Sequence, residues 1–254
     1  ALLLGIIGLV GLEPRFREDD APAPAAEDRR PWGQLVREVM GYPGARTFFL
    51  YLTLLLAAIL GQDVLLEPFA AEALHMPVEA TTRITSIWGG CMLLTLSLSS
   101  WMERKLGKRA VARLGAIVAV VGFACIAGFG LMGSKSGFFA GVMLLGLGTG
   151  WATVSNMSLM LDMTTTRVGL FMGAWGIANA LSRLLGTVMG GVLRDLITQI
   201  SQNTLAGYVT VFIIEAVLLL LSLVLLSRID VKRFQAHERQ YSTAERAVLM
   251  NEVI

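Results

Sequence analysis

The chain has 254 residues, of which 55% are hydrophobic and only 16% charged, with a mean hydropathy of +0.66. That balance excludes an ordinary soluble domain, and the 27 glycines are what close packing of membrane-spanning helices uses. A net charge of +2 is too small to argue for a nucleic-acid partner, and Cys91 and Cys125 both sit inside apolar runs, as buried small side chains rather than a disulfide or metal pair.

In chain order, residues 1–12 (ALLLGIIGLVGL) lack the basic start and cleavage site of a signal peptide and read as the end of a preceding transmembrane helix. Residues 13–46 form a polar linker. Its first part is rich in Pro, Ala and charge, while residues 31–40 place Trp32, Leu35, Val36 and Val39 at helical spacing, as in a short interfacial helix. Residues 47–76 then carry an uncharged run into Gln62, Asp63, Glu67, Pro68, Glu72 and His75. At about 1.5 Å per residue, residues 45–66 cover roughly 33 Å, the thickness of a bilayer's hydrocarbon. Ionisable groups at such a helix end are costly unless they face protein or water, which makes this mouth a candidate site.

Five further apolar runs follow at residues 82–102, 111–132, 137–163, 168–192 and 205–226, so that 47–228 reads as a six-helix transmembrane bundle and 229–254 as a charged tail. Seventeen of the 21 Lys and Arg residues fall on one side of this topology: in the linker, in the turn at 103–109 and just beyond it, at Arg167 and in the tail. The positive-inside rule makes that side, with the C-terminus, cytoplasmic and turns the mouth outward. Asp63 and Glu67 are four residues apart and would share a face of a continuing helix. Pro68 ends or bends that helix, and Arg83, at the start of the next span, is the nearest cation to answer the two carboxylates.

The turn after the second span, Glu103, Arg104, Lys105, Leu106, Gly107, Lys108, Arg109, resembles the signature between the second and third helices of each half of major facilitator transporters. Gly107 would permit a tight turn, and Glu103 would pair with basic groups or cap a neighbouring helix. Six spans behind a linker and a helix fragment look like the C-terminal half of such a fold, an all-α membrane protein. GQDVLLEPFAAEALHM, ATTRITSIWGGCMLL and RVGLFMGAWGIANALSRLLGTVMGGVLRDL narrow the resemblance to the PucC/LhaA, or bacteriochlorophyll-delivery, family. That resemblance implies a bacterial inner or intracytoplasmic photosynthetic membrane and a role in assembling light-harvesting complexes. It implies bacteriochlorophyll or a carotenoid as cargo or pigment, with no redox cofactor. Implied partners are membrane lipid, an N-terminal half or other membrane subunits, and light-harvesting polypeptides or a reaction centre.

Within the spans, Arg183 and Glu215 lie at depths that differ by roughly 6 Å, and an Arg side chain can bridge that gap. The pair is either a cavity site or a structural ion pair. Asp162, near the cytoplasmic face, is expected to pair with Arg167 or the 104–109 turn, and Asn156 is the remaining intramembrane polar group. His75, Gln62 and Asn156 are the candidate magnesium ligands for a chlorophyll, and Trp88, Trp151 and Trp175 the candidate slot walls. Each also has an ordinary interfacial or core reading, and His237 in the tail reads as solvated. Gly146 with Gly150, Gly169 with Gly173, and Gly186 with Gly190 are small-xxx-small pairs for helix packing. No nucleophile, phosphate-loop, zinc or paired-acid arrangement is visible, so the expected function is non-enzymatic. The alternatives are a facilitator-type transporter of a small amphipathic solute, with Asp63, Glu67, Arg183 and Glu215 on its path, and a structural subunit of the photosynthetic complex.

Overall fold

The computed structural model describes residues 41, 45–163 and 168–228, and every long element among them is helical. The expectations for residues 1–40, for Arg167 and for the tail with His237 lie outside the described residues, as does the pairing of Gly169 with Gly173. Six long helices follow one another: α1 (Ala45–Gly61), α2 (Val78–Leu106), α3 (Lys108–Leu131), α4 (Lys135–Met163), α5 (Val168–Ser201) and α6 (Thr204–Arg228). Five of them are long and apolar enough to cross a membrane. The exception is α2, which at 29 residues has the length but interrupts its apolar stretch with Thr81, Thr82, Arg83, Thr85, Ser86 and a further run of Thr and Ser. The chain is a multi-pass membrane protein with an all-helical fold consistent with part of a facilitator.

Glycine decides how the helices seat. On α3, a Cβ at Gly122 would stand 2.7 Å from the Leu145 nitrogen and 3.1 Å from the Gly141 carbonyl oxygen. On α4, one at Gly148 would stand 2.6 Å from the Gly115 oxygen. The two antiparallel helices therefore interlock through glycines seven apart on each partner, a closer approach than any side chain permits. Gly146 and Gly150 do the same for α4 against Trp88 and Met92 of α2, here with the helices parallel. Ser182 donates to the Thr53 carbonyl at 3.1 Å, and Gly186 abuts Ala57 and Gly61, so α1 and α5 are also parallel neighbours.

These pairings bring two sets of helix ends together. One contains Arg46, the 103–109 turn, Asp162 and Arg228; the other contains the mouth, Arg83, Lys135 and Arg194. The grouping is the one the distribution of basic residues led to.

Two boundaries differ from the sequence reading. The fifth span, expected to stop at 192, continues to Ser201, giving a helix of 34 residues, or roughly 51 Å. Its extra turns carry Arg194 and Asp195 past the apolar region. In addition, α1 does not continue through Asp63: it stops at Gly61 and is followed by a 3-10 turn at Gln62–Val64, a single α turn at Leu66–Pro68 and a wide π turn at Phe69–Ala73. Phe69 fastens this broken segment to the bundle. It is fully buried, its ring lies 5.2 Å from that of Phe212, 5.5 Å from Tyr208 and 5.6 Å from Phe138, and it fills the space left by Gly130.

Candidate functional site

The mouth is built from the broken end of α1 and the first turns of α2. Gln62 is buried and donates through Nε2 to Asp63 Oδ1 at 2.8 Å. Glu67 accepts a hydrogen bond from the Thr85 hydroxyl of α2. Although the 3-10 turn destroys the continuous helical face expected for Asp63 and Glu67, both line one cavity of about 190 Å³ with Gln62, Leu66, Ile84, Thr85 and Trp88. Arg83 does not join them: it is exposed and makes no ion pair among the described residues. The cation that answers Asp63 is Arg183 of α5, whose Nη2 lies 3.5 Å from Oδ2. One turn below the mouth, α1 and α5 touch at Gly61 and Gly186, so Arg183 reaches the carboxylate from the neighbouring helix.

That pairing corrects the reading of Arg183 with Glu215. Glu215 is 4% exposed, its Oε2 has no hydrogen-bond partner among the described residues, and its Oε1 lies against Gly61. A carboxyl in that position is normally answered by a charge or a donor, and here Gly61 of α1 makes room for it without supplying one. Depth along the helices matched Arg183 to Glu215; rotation about the helix axes, which depth does not report, sent Arg183 to Asp63.

At the opposite end, Gly107 occupies φ +84°, a backbone region that side chains rarely enter. It lets α2 reverse into α3 with no intervening loop. Lys108 then pairs with Asp162 of α4 at 2.6 Å, fulfilling the expectation that Asp162 pairs with this turn. Arg109 donates to the carbonyl oxygens of Leu226 at 2.7 Å and Ser227 at 2.9 Å, which closes the last turn of α6 and places a positive charge at its negative dipole end. Lys105 lies 4.1 Å above the Trp101 ring and Arg104 is exposed. Glu103 serves through its backbone, accepting from Gly107 N at 2.9 Å, while its side-chain Oε1 is buried without a hydrogen bond among the described residues.

One network was missed. Arg194 Nη2 donates to Glu72 at 2.8 Å and to the Tyr208 hydroxyl, which itself donates to Glu72 at 2.8 Å. Arg194 also reaches Asp195, and its guanidinium lies 4.7 Å over the Tyr208 ring. These contacts tie the π turn to α5 and α6. The sequence signal is Arg194 directly after an apolar run.

The model for the PUCC protein family matches residues 1–234. The chain belongs to the PUCC protein family. Similar relatives include Protein PucC of Rhodovulum sulfidophilum, 33% identical over 71% of this chain and 39% of the relative. An uncharacterized protein from the puhA-bchM intergenic region of Rhodobacter capsulatus is 31% identical over 89% of the chain and 49% of its own length. A Rhodobacter capsulatus protein named bacteriochlorophyll synthase 44.5 kDa chain is 29% identical over 77% of the chain and 46% of its own length. The chain thus spans about half the length, or less, of these curated relatives.

The family link makes a pigment the group to test against the residues present. Asn156, buried in the bundle, already uses both ends of its amide: it accepts from the Tyr51 hydroxyl and donates to Ala152 O at 2.6 Å. His75 is exposed on the turn ahead of α2, at φ +50°. Gln62 faces a cavity of about 190 Å³, below the roughly 300 to 1,000 Å³ that drug-sized ligands fill and too small for a tetrapyrrole. The three candidate ligands do not form an enclosed pigment site among the described residues.

Proposed function

We propose that this chain belongs to an assembly factor for light-harvesting complexes, which binds or delivers bacteriochlorophyll, antenna polypeptides or both through helix faces and performs no catalysis. The observation that carries the reading is the open face of α5. Only 17% of its apolar stretch is buried, against 61% for α1, and Ile177, Leu181, Leu184, Val188 and Val192 form an exposed stripe along it. Arg183 lies on the same helix with its side chain 62% exposed. Lipid is a poor neighbour for an arginine halfway along a span, so this face suits other membrane helices better than acyl chains. The basic end would face the cytoplasm of a photosynthetic membrane.

The test is purification of the full-length protein in mild detergent from a phototrophic host, followed by absorbance spectra and identification of bound polypeptides. Pigment or antenna subunits that co-purify, and are lost when the stripe is made polar at Leu184 and Val188, support the proposal. Their absence from the unaltered protein refutes it. A transporter reading draws on Glu215, a buried carboxyl with an unpartnered oxygen one helix contact from Asp63 and Arg183; solute flux into proteoliposomes that falls with Glu215→Gln would favour it.

A further inference from the structure

We infer that the cavity between the broken end of α1 and the start of α2 binds a primary ammonium group with an oxygen acceptor close by. This inference is independent of the pigment reading. The cavity, about 190 Å³, has room for about six waters' share of liquid volume, enough for a small amine or a lipid headgroup but not for a peptide.

The polar groups around it define what it lacks. Gln62 is 1% exposed; its Nε2 is taken by Asp63, and its Oε1 is buried with no partner among the described residues. Glu67 receives one hydrogen bond, from Thr85, on Oε1. Asp63 accepts the Gln62 amide on Oδ1 at 2.8 Å and, among the described residues, faces one cation, Arg183, 3.5 Å from Oδ2. The lining residues include two carboxylates and Gln62, whose Oε1 is buried, and no cationic side chain; with Arg183 set against Asp63, one carboxylate charge is left in surplus. An ammonium supplies three N–H donors and a positive charge, whereas a quaternary amine supplies the charge without donors and an anion supplies neither. Trp88 adds two features: an aromatic ring in the wall, which attracts cations, and a buried Nε1 with no acceptor among the described residues. A hydroxyl or ester oxygen beside the ammonium would satisfy that indole, while Leu66 and Ile84 make the remaining walls apolar.

Ethanolamine and the headgroup of phosphatidylethanolamine share this chemistry, and two arms separate them. The full chain is placed in phosphatidylcholine nanodiscs and titrated calorimetrically with ethanolamine and, separately, with choline. Native mass spectrometry then measures retention of phosphatidylethanolamine against phosphatidylcholine. Saturable, ethanolamine-selective heat identifies a free amine; selective retention of phosphatidylethanolamine identifies the lipid. In whichever arm responds, Glu67→Gln and Gln62→Leu are each expected to weaken binding at least tenfold. Thr85→Phe, which intrudes from the rim, is expected to abolish it. No response in either arm, choline binding as well as ethanolamine, or variants that bind like the parent protein would each overturn the assignment.

Discussion

Arg183 can be assigned a partner only once the rotation of α5 is known. In the structure it reaches Asp63 at 3.5 Å, and Glu215 stays unpaired behind Gly61. A double-mutant cycle in detergent melts should give coupling between Arg183→Leu and Asp63→Leu on the order of 0.5 to 1 kcal/mol, small because the arginine is open. Coupling between Arg183→Leu and Glu215→Leu should be weaker; if it is the larger of the two, the pairing described here is wrong. The basic turn offers a second contrast. Lys108 and Asp162 are partly exposed, 35% and 40%, so Lys108→Ala should remove about 1 kcal/mol or less. Arg109 holds two carbonyl oxygens at the end of α6, and bonds from a charged donor contribute roughly 1.5 to 3 kcal/mol each. Arg109→Ala should therefore lower the melting temperature more than Lys108→Ala, and Arg109→Lys should recover only part of the loss. Equal effects would mean that the carbonyl contacts are not a stabilising cap.

Between elements, the seams are made by absent side chains. Gly186→Ala would push a methyl group into the backbone of Ala57, which cannot rotate away. Overpacking of this kind typically costs about 1 to 3 kcal/mol. Gly89 and Gly90 on α2 have no atom within 4 Å of an added Cβ, so Gly89→Ala should be neutral or slightly stabilising through helix propensity. Melting curves of the two variants in one detergent separate the cases, and a Gly89→Ala as damaging as Gly186→Ala would show that α2 is covered by something other than these six helices. The four-residue glycine pairs on α4 and α5 are visible in the sequence. The seven-residue spacing of Gly115 with Gly122 and of Gly141 with Gly148 acquires its meaning only when two antiparallel helices are laid side by side.

For the molecule as a whole, the open faces of α2 and α5 lead to the expectation that this six-helix unit works against further membrane helices. After replacement of Cys91 and Cys125 by Ser, single cysteines at Gly90 and Gly176 should be shielded from a membrane-permeant maleimide in native membranes. They should also crosslink to protein, and purification in harsh detergent should remove the shielding. Full labelling in the native membrane, equal to that of a cysteine at an exposed position of α6 such as Val217, would count against a helical partner on these faces.

Composition and periodicity alone determined that the chain is helical and membrane-embedded, because a bilayer demands long apolar runs and a helix satisfies its own backbone. The turn at Gly107 and the mouth motifs were also legible locally, since a glycine turn and a charged helix end are properties of short stretches, and they carried the family assignment that the comparisons bear out. Tertiary structure decided which side chains meet. It gave Arg183 rather than Arg83 to Asp63, left Glu215 without its expected cation, joined Arg194 to Glu72 and Tyr208, and closed a small cavity where sequence had suggested only a cluster of charges. A period of 3.6 residues fixes the depth and relative angle of residues within one helix. How each helix is rotated against its neighbours depends on glycine seams and ring contacts between residues far apart in the chain, such as Gly61 with Gly186 and Phe69 with Phe212, and the periodicity within any one segment does not report it.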